Sequence, residues 1–230
     1  MNIEQEVTEL CLKQFGANLA GVAIFGSYNA GPYVEGVSDI DVNIYLLRRN
    51  GMDLAQEKAV LIESAKNIKL SVNNLETLDV GYDRIYREGS WTSWITLTCG
   101  SKFICATPAF VEFIDKIRAK DIAQENLVEY IKHKDELELA GYLRRISDWD
   151  LTKCLYAHIR RKLQILSYRK TKQPEFDYLK CLANIGVNAA TKSLLDNLAK
   201  YYEIRMSLTG EEAQPYFETA AMLSKMIFSP

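Results

Sequence analysis

The chain has 230 residues, of which 48% are apolar and 25% charged, enough for one large domain or two modest ones, which excludes a disulfide miniprotein and a disordered chain. Lys and Arg total 28 against 30 for Asp and Glu, a formal charge of -2, so no global positive field holds a nucleic-acid backbone, leaving only a local basic groove for that purpose. Cys11, Cys99, Cys105, Cys154 and Cys181 form no C-x-x-C pair and have only His133 and His158 to help them hold a metal, so they read as reduced and structural.

The N-terminus, Met1-Asn2-Ile3-Glu4-Gln5-Glu6, is acidic where a secretory peptide is basic, and no apolar stretch follows it. No window approaches the roughly 18 apolar residues of a spanning helix. The expectation is a soluble, cytoplasmic protein without a membrane partner.

In chain order, residues 3 to 15 place Ile3, Val7, Leu10 and Cys11 at helical spacing before Gly16, and Ala20 to Phe25 then reads as a short buried strand ending at Gly26-Ser27. After a loop punctuated by Gly31, Pro32 and Gly36, Ile40 to Leu46 reads as a second strand in which Asp41 and Asn43 alternate with apolar neighbours. A helix is expected from about Asp53 to Ala65 and a third strand from Ile68 to Val72, and Gly100-Ser101 is expected to turn a hairpin between Trp94 to Cys99 and Lys102 to Ala106. After Pro108 only helical periodicity remains, with segments at about 124 to 145, 150 to 168, 176 to 185, 189 to 206 and 211 to 228. In the second, Leu151, Leu155, Ile159, Leu163 and Leu166 share one face, with Lys153, Arg160 and Arg161 elsewhere and Lys162 near the apolar edge. An α/β first part and a helical bundle after it follow, with no internal repeat.

The most specific feature is Phe25-Gly26-Ser27, an eleven-residue gap, then Asp39-Ile40-Asp41-Val42. Carboxylates at i and i+2 of a strand point to one side and can share a cation that neither holds well alone. A glycine and a serine just after a strand let the backbone approach a phosphate, with N–H groups and a hydroxyl to bond it. Together they describe phosphoryl-group chemistry. No Gly-x-x-x-x-Gly-Lys-Ser/Thr run occurs, which disfavours a P-loop kinase or ATPase.

Phe25-Gly26-Ser27-Tyr28 followed by Ser38-Asp39-Ile40-Asp41-Val42-Asn43 resembles the signature of the nucleotidyltransferase superfamily related to DNA polymerase beta, and the helical second half is similar to that of small bacterial members that adenylylate antibiotics. The resemblance implies transfer of a nucleoside monophosphate from ATP or another nucleoside triphosphate to a hydroxyl of a small-molecule acceptor. It implies that Gly26 and Ser27 hold the triphosphate and that Asp39 and Asp41 hold magnesium. It also implies an α/β nucleotidyltransferase-type domain at 1–118 and a helical domain at 119–230, with the cleft between them.

Family members usually carry a third carboxylate on a following strand. Here the alternating polar positions of Asn67 to Asn74 supply Lys69 and Ser71 instead, and an ammonium opposes a divalent ion. Glu76 and Asp79 follow that strand. Glu76 is the candidate base, although its place outside the strand also fits a solvated turn acid. The missing acid leaves open a nucleotide-binding or interaction protein without turnover on the same fold, and a nucleotidyltransferase acting on protein or RNA is a further alternative, its RNA form weakened by the near-neutral charge.

Other residues carry two readings each. Arg144, Arg145, Arg160, Arg161 and Lys162 suit a triphosphate or a solvated bundle face, and Trp91 and Trp94 suit stacking on a ring or the core. Asp148 and Asp150 suit helix caps or a cationic acceptor. His133 with Glu129, and His158 with Cys154, lack further ligands for a closed metal site and read as surface or packed histidines.

Overall fold

A computed structural model of the chain describes residues 3–30, 38–48, 68–75, 94–119, 124–134 and 148–229, and they fall into two units: residues 1–87 with 96–121, and residues 88–95 with 122–230.

In the first unit, helix α1 (Ile3–Phe15) has Glu4 and Glu6 in its first turn and Lys13 in its last, complementing the helix dipole, and Val7, Cys11 and Phe15 form its buried stripe. A 3-10 turn over Gly16–Asn18 begins on Gly16 at φ +51, which a side chain disfavours, and leads into strand β1 (Leu19–Phe25). A short helix, α2 (Ser27–Ala30), follows Gly26, and the sheet is completed by β2 (Ile40–Leu46), β3 (Ile68–Asn74) and β4 (Lys102–Ala106) in the order β3-β2-β1-β4. Strand β1 runs antiparallel to β2 and β4, whereas β2 and β3 are parallel, which requires the chain to cross over between them.

Six of the seven β1 residues are buried because both faces of the sheet are covered. One face, with Val22, Ile24, Ile40, Val42, Ile44, Leu46, Ile68 and Leu70, meets Val7, Cys11 and Phe15 of α1. The other receives α3 (Pro108–Arg118), whose Phe110 lies over Gly21 and against the rings of Tyr45 and Phe103, with centroids at 4.6 and 5.3 Å. Thr107 caps α3 through Phe110 N and donates its hydroxyl to Ala20 O at 2.9 Å, tying that helix start to β1.

Four of the five expected strands appear, β1, β2, β3 and β4, but Trp94 to Cys99 is not a strand and the expected hairpin does not form. Trp94 and Ile95 are helical, and Thr96–Gly100 makes a wide π-type turn with Leu97, Thr98 and Gly100 buried. The partner of β4 is β1, with Val22 opposite Cys105. The apolar and β-branched content of this stretch reflects burial rather than extension, which composition alone does not separate. None of the five cysteines is in a disulfide. The helix expected over Asp53 to Ala65 lies outside the described residues.

The elements of the second unit among the described residues are helices: α4 (Gln124–Lys134), α5 (Asp148–Thr171), α6 (Tyr178–Ile185), α7 (Ala189–Glu203) and α8 (Gly210–Phe228). Asp177, Asn188 and Thr209 cap the last three, each accepting from a backbone N–H three residues on, and Gly186 ends α6 at φ +70. The apolar stripe of α5 is buried at Leu155, Ile159, Leu163 and Leu166, yet Thr152, His158, Lys162, Gln164 and Ser167 are buried too. Helix α5 is central to the unit, with α6, α7 and α8 packed around it, so its polar side chains serve as ties. Thr152 Oγ1 donates to Met206 O at 2.9 Å and accepts from Leu208 N at 3.0 Å, and Gln164 Nε2 donates to Phe176 O at 3.1 Å. Trp94 is core, 2% exposed, with its ring edge-on to Tyr168 at 5.1 Å.

Candidate functional site

Side-chain alternation along β2 sends Ile40, Val42, Ile44 and Leu46 to the α1 face and leaves Asp41 and Asn43, both half-buried, on the face that carries Tyr45. Asp39, two residues before Asp41, shares that direction and is also half-buried. The parallel register places Lys69 beside Asp41 and Ser71 beside Asn43, so β3 extends the same polar face. An odd-numbered stripe thus runs across two strands, with two carboxylates, an ammonium, an amide and a hydroxyl.

Gly26 meets this stripe from β1. Phe25 pairs with Asp41 across the sheet, and the next residue turns at φ +71. A Cβ on Gly26 would collide with Asp41 Oδ2 and stand 3.2 Å from its Cγ, so the glycine is needed for close approach as well as for backbone sign. The motif implies a phosphate-facing role for Gly26; its contact with Asp41 depends on strand register, which the motif does not spell out. Ser27 opens α2 directly after it, and Asn29 Nδ2 donates to Gly100 O at 3.0 Å, anchoring the short helix to the π-type turn. No sequence signal marked Asn29.

Lys69 Nζ forms an ion pair with Asp39 Oδ2. The hydrogen bond and charge of Asp39 raise the Lys69 pKa above the ordinary lysine value, the charge of Asp41 adding to this and desolvation working against it. The side chains of Lys69 and Asp39 are 67% and 46% exposed, and a pair this open to solvent contributes about 0.2–1 kcal/mol. It is an electrostatic arrangement rather than a structural staple.

The donor chemistry fits one hard divalent cation. Two carboxylates on one face, already drawing a cation in the form of an ammonium, suit magnesium, which takes one or two carboxylates and completes its shell with water and phosphate oxygens. Among the described residues no group of three His, Cys, Asp or Glu side chains is placed to hold a metal.

Glu76, Asp79, Trp91, Arg144 and Arg145 lie outside the described residues, as do the side chains of His133 and Asp148. His158 is buried within the second unit. Lys162 is fully buried there, and Arg160 stacks on Phe176 and Tyr156 at 4.8 and 5.8 Å, so neither belongs to a solvated face. No helix of the described residues is long and apolar enough to cross a membrane.

No protein-family model and no curated protein sequence matches the chain. Among solved structures it is similar to spectinomycin adenyltransferase AAD(9) from Enterococcus faecialis, with ATP and spectinomycin, at TM-score 0.57 and 14% identity over 99% of this chain and 99% of that one. The two chains share a fold. It is a mixed four-stranded sheet with a mostly helical second part, in line with the expected α/β domain and helical bundle. A mutant of the toxin-antitoxin MntA-HpeT also matches, at TM-score 0.35 and 15% identity, over 60% of this chain and 96% of that one.

Proposed function

We propose that the chain transfers a nucleoside monophosphate from a nucleoside triphosphate, ATP or another, to a hydroxyl of a small-molecule acceptor. The observation that carries this reading is the contact of Gly26 with Asp41, with Asp39 on the same face: a phosphate-approachable turn built directly onto a carboxylate pair. The shared fold with an adenyltransferase supports it.

In this reading Gly26 and Ser27 bind the triphosphate through backbone N–H groups and the serine hydroxyl, which orients the alpha phosphorus toward the acceptor. Asp39 and Asp41 hold magnesium, which when bound supplies charge neutralisation at the phosphate oxygens. The acceptor oxygen forms a bond to the alpha phosphorus as the bond from that phosphorus to the pyrophosphate oxygen breaks, and the hydroxyl proton passes to a base. Glu76 is the sequence candidate for that base.

Calorimetric titration of ATP and GTP, with and without magnesium, into the chain and its D39N/D41N variant tests the site. Magnesium-dependent binding that disappears in the variant is the expected result; no binding of either nucleotide by the unaltered chain overturns the reading. An acceptor panel beginning with spectinomycin, read by pyrophosphate release, then tests transfer.

Lys69 favours a second reading, nucleotide binding without turnover, because the strand position beside Asp41 holds an ammonium in place of an acid. Magnesium-dependent binding with no pyrophosphate release from any acceptor would select it.

A further inference from the structure

Two carboxylates fixed on one sheet face repel each other unless a cation lies between or beside them. In this chain the fold itself brings one. Lys69 stands opposite Asp41 in the parallel register and makes its ion pair with Asp39, so a single ammonium serves both acids of the pair. Its side chain is two-thirds exposed, and nothing in the register obliges it to stay: a four-carbon stem on an edge of the polar stripe can carry the charge away from Asp39 without moving β3.

We propose that Lys69 is a tethered counter-ion that holds Asp39 until a divalent cation displaces it, so that cation binding and release of the ammonium are one event. The inference rests on the proposed role of Asp39 and Asp41 as ligands. The oxygen that accepts from the ammonium is then unavailable to the metal, and a bound dication a few ångströms away repels the lysine. Once displaced, the ammonium is a compact cation with three N–H donors and no carboxylate to bond, a suitable partner for triphosphate oxygens. Lys69 is therefore a positioning residue that couples the cation to the nucleotide: the free chain binds the cation weakly, and the nucleotide tightens it by giving the freed ammonium an anion.

The test is direct binding of Mn2+, followed by the paramagnetic resonance of the free ion, to the full chain and to K69R, K69M and K69E without nucleotide. Expected is an order set by charge: K69R close to the unaltered chain, K69M about fivefold tighter, the full worth of an exposed ion pair, and K69E tighter again. With ATP present, the nucleotide should tighten Mn2+ in the unaltered chain more than in K69M. A packing role for an exposed stem would not produce this order. If Mn2+ binds the unaltered chain, K69M and K69E equally and is lost on adding D39N/D41N, the carboxylate site stands and the inference falls. If no chain shows Mn2+ binding sensitive to D39N/D41N, the ligand assignment falls and the inference with it.

Discussion

Gly26 and Asp41 are packed so closely that a side chain on the first would take the place of Oδ2 of the second. Gly16, by contrast, also has positive φ, at +51, but nothing lies within 4 Å of a Cβ built on it. The two glycines therefore separate backbone strain from site geometry. G16A is expected to cost about 1 kcal/mol through its backbone alone. G26A adds the collision, which forces Asp41 to move, and should weaken magnesium-dependent nucleotide binding at least about tenfold, the usual scale for a displaced ligand or its support. Urea unfolding and calorimetry on both variants give the comparison. Nucleotide binding by G26A as tight as by G16A would remove Gly26 from the site.

Phe110 gives a prediction about the fold that holds the site. It is fully buried, its Cδ1 would be 2.5 Å from a Cβ on Gly21, and it stacks on Phe113 at 6.4 Å as well as touching Tyr45 and Phe103. F110A should destabilise the chain by about 3–5 kcal/mol, as large aromatic truncations in cores do. G21A should be destabilising on its own, because the ring face has no room for a methyl. In the G21A/F110L double variant the smaller side chain frees that space, so the combined loss in a urea melt should be less than the sum of the losses in G21A and in F110L alone.

These contacts show why the sequence was legible in some places and silent in others. The bounds of strand β2 are legible because Asp41 and Asn43 alternate with buried aliphatics. The two aspartates could be placed on one face from alternation alone. What alternation cannot supply is the neighbour: that β2 pairs with β3 in parallel, and that Asp41 consequently lies beside Lys69, depends on a crossover whose register no local pattern encodes. Trp94 to Cys99 shows the opposite failure. Its apolar, β-branched composition is shared by strands and by buried turns, and tertiary contacts made the choice. In α5, Lys162 sits where a helical wheel predicts an edge; it and four other polar residues of the helix, Thr152, His158, Gln164 and Ser167, are buried because the helix is enclosed by others, which its own sequence does not state.

The capping box at the start of α8 gives a pH prediction. Thr209 Oγ1 accepts from Glu212 N at 3.3 Å, while Glu212 Oε2 accepts from Thr209 N and from its hydroxyl, each at 2.9 Å. The backbone hydrogen bond from Thr209, followed by that of its side chain, holds the Glu212 carboxyl below the usual carboxylate range. A carboxylate with a depressed folded-state pKa contributes stability that is complete above its unfolded value, about 4.3, and lost as the pH falls through the folded one. Urea melts at pH 6 and pH 3 should therefore show a smaller acid loss for E212Q than for the unaltered chain. T209A, which removes the cap itself, should cost about 1 kcal/mol at neutral pH. An equal acid loss in E212Q would assign the pH dependence to other groups.

Arg160 decides whether the basic run of α5 belongs to a ligand or to the fold. Its guanidinium lies over the Phe176 ring at 4.8 Å and the Tyr156 ring at 5.8 Å, and Tyr156 continues in near-parallel stacks to Tyr202 at 3.9 Å and to Tyr178 at 4.8 Å. Burial lowers the guanidinium pKa through desolvation, with Tyr156 and Tyr202 working against it. These features describe a cation used for its flat, apolar faces. R160M keeps the stem and the contact area, trading the cation–π attraction, about 0.5–2 kcal/mol, against relief of desolvation, so its stability should stay within about 1 kcal/mol of the unaltered chain. R160A loses the contact area and should be less stable by about 1–2 kcal/mol. Nucleotide affinity should be the same in all three proteins. If R160M folds as well as the unaltered chain but binds ATP and magnesium tenfold more weakly, the guanidinium is a phosphate ligand and the aromatic stack is its mounting.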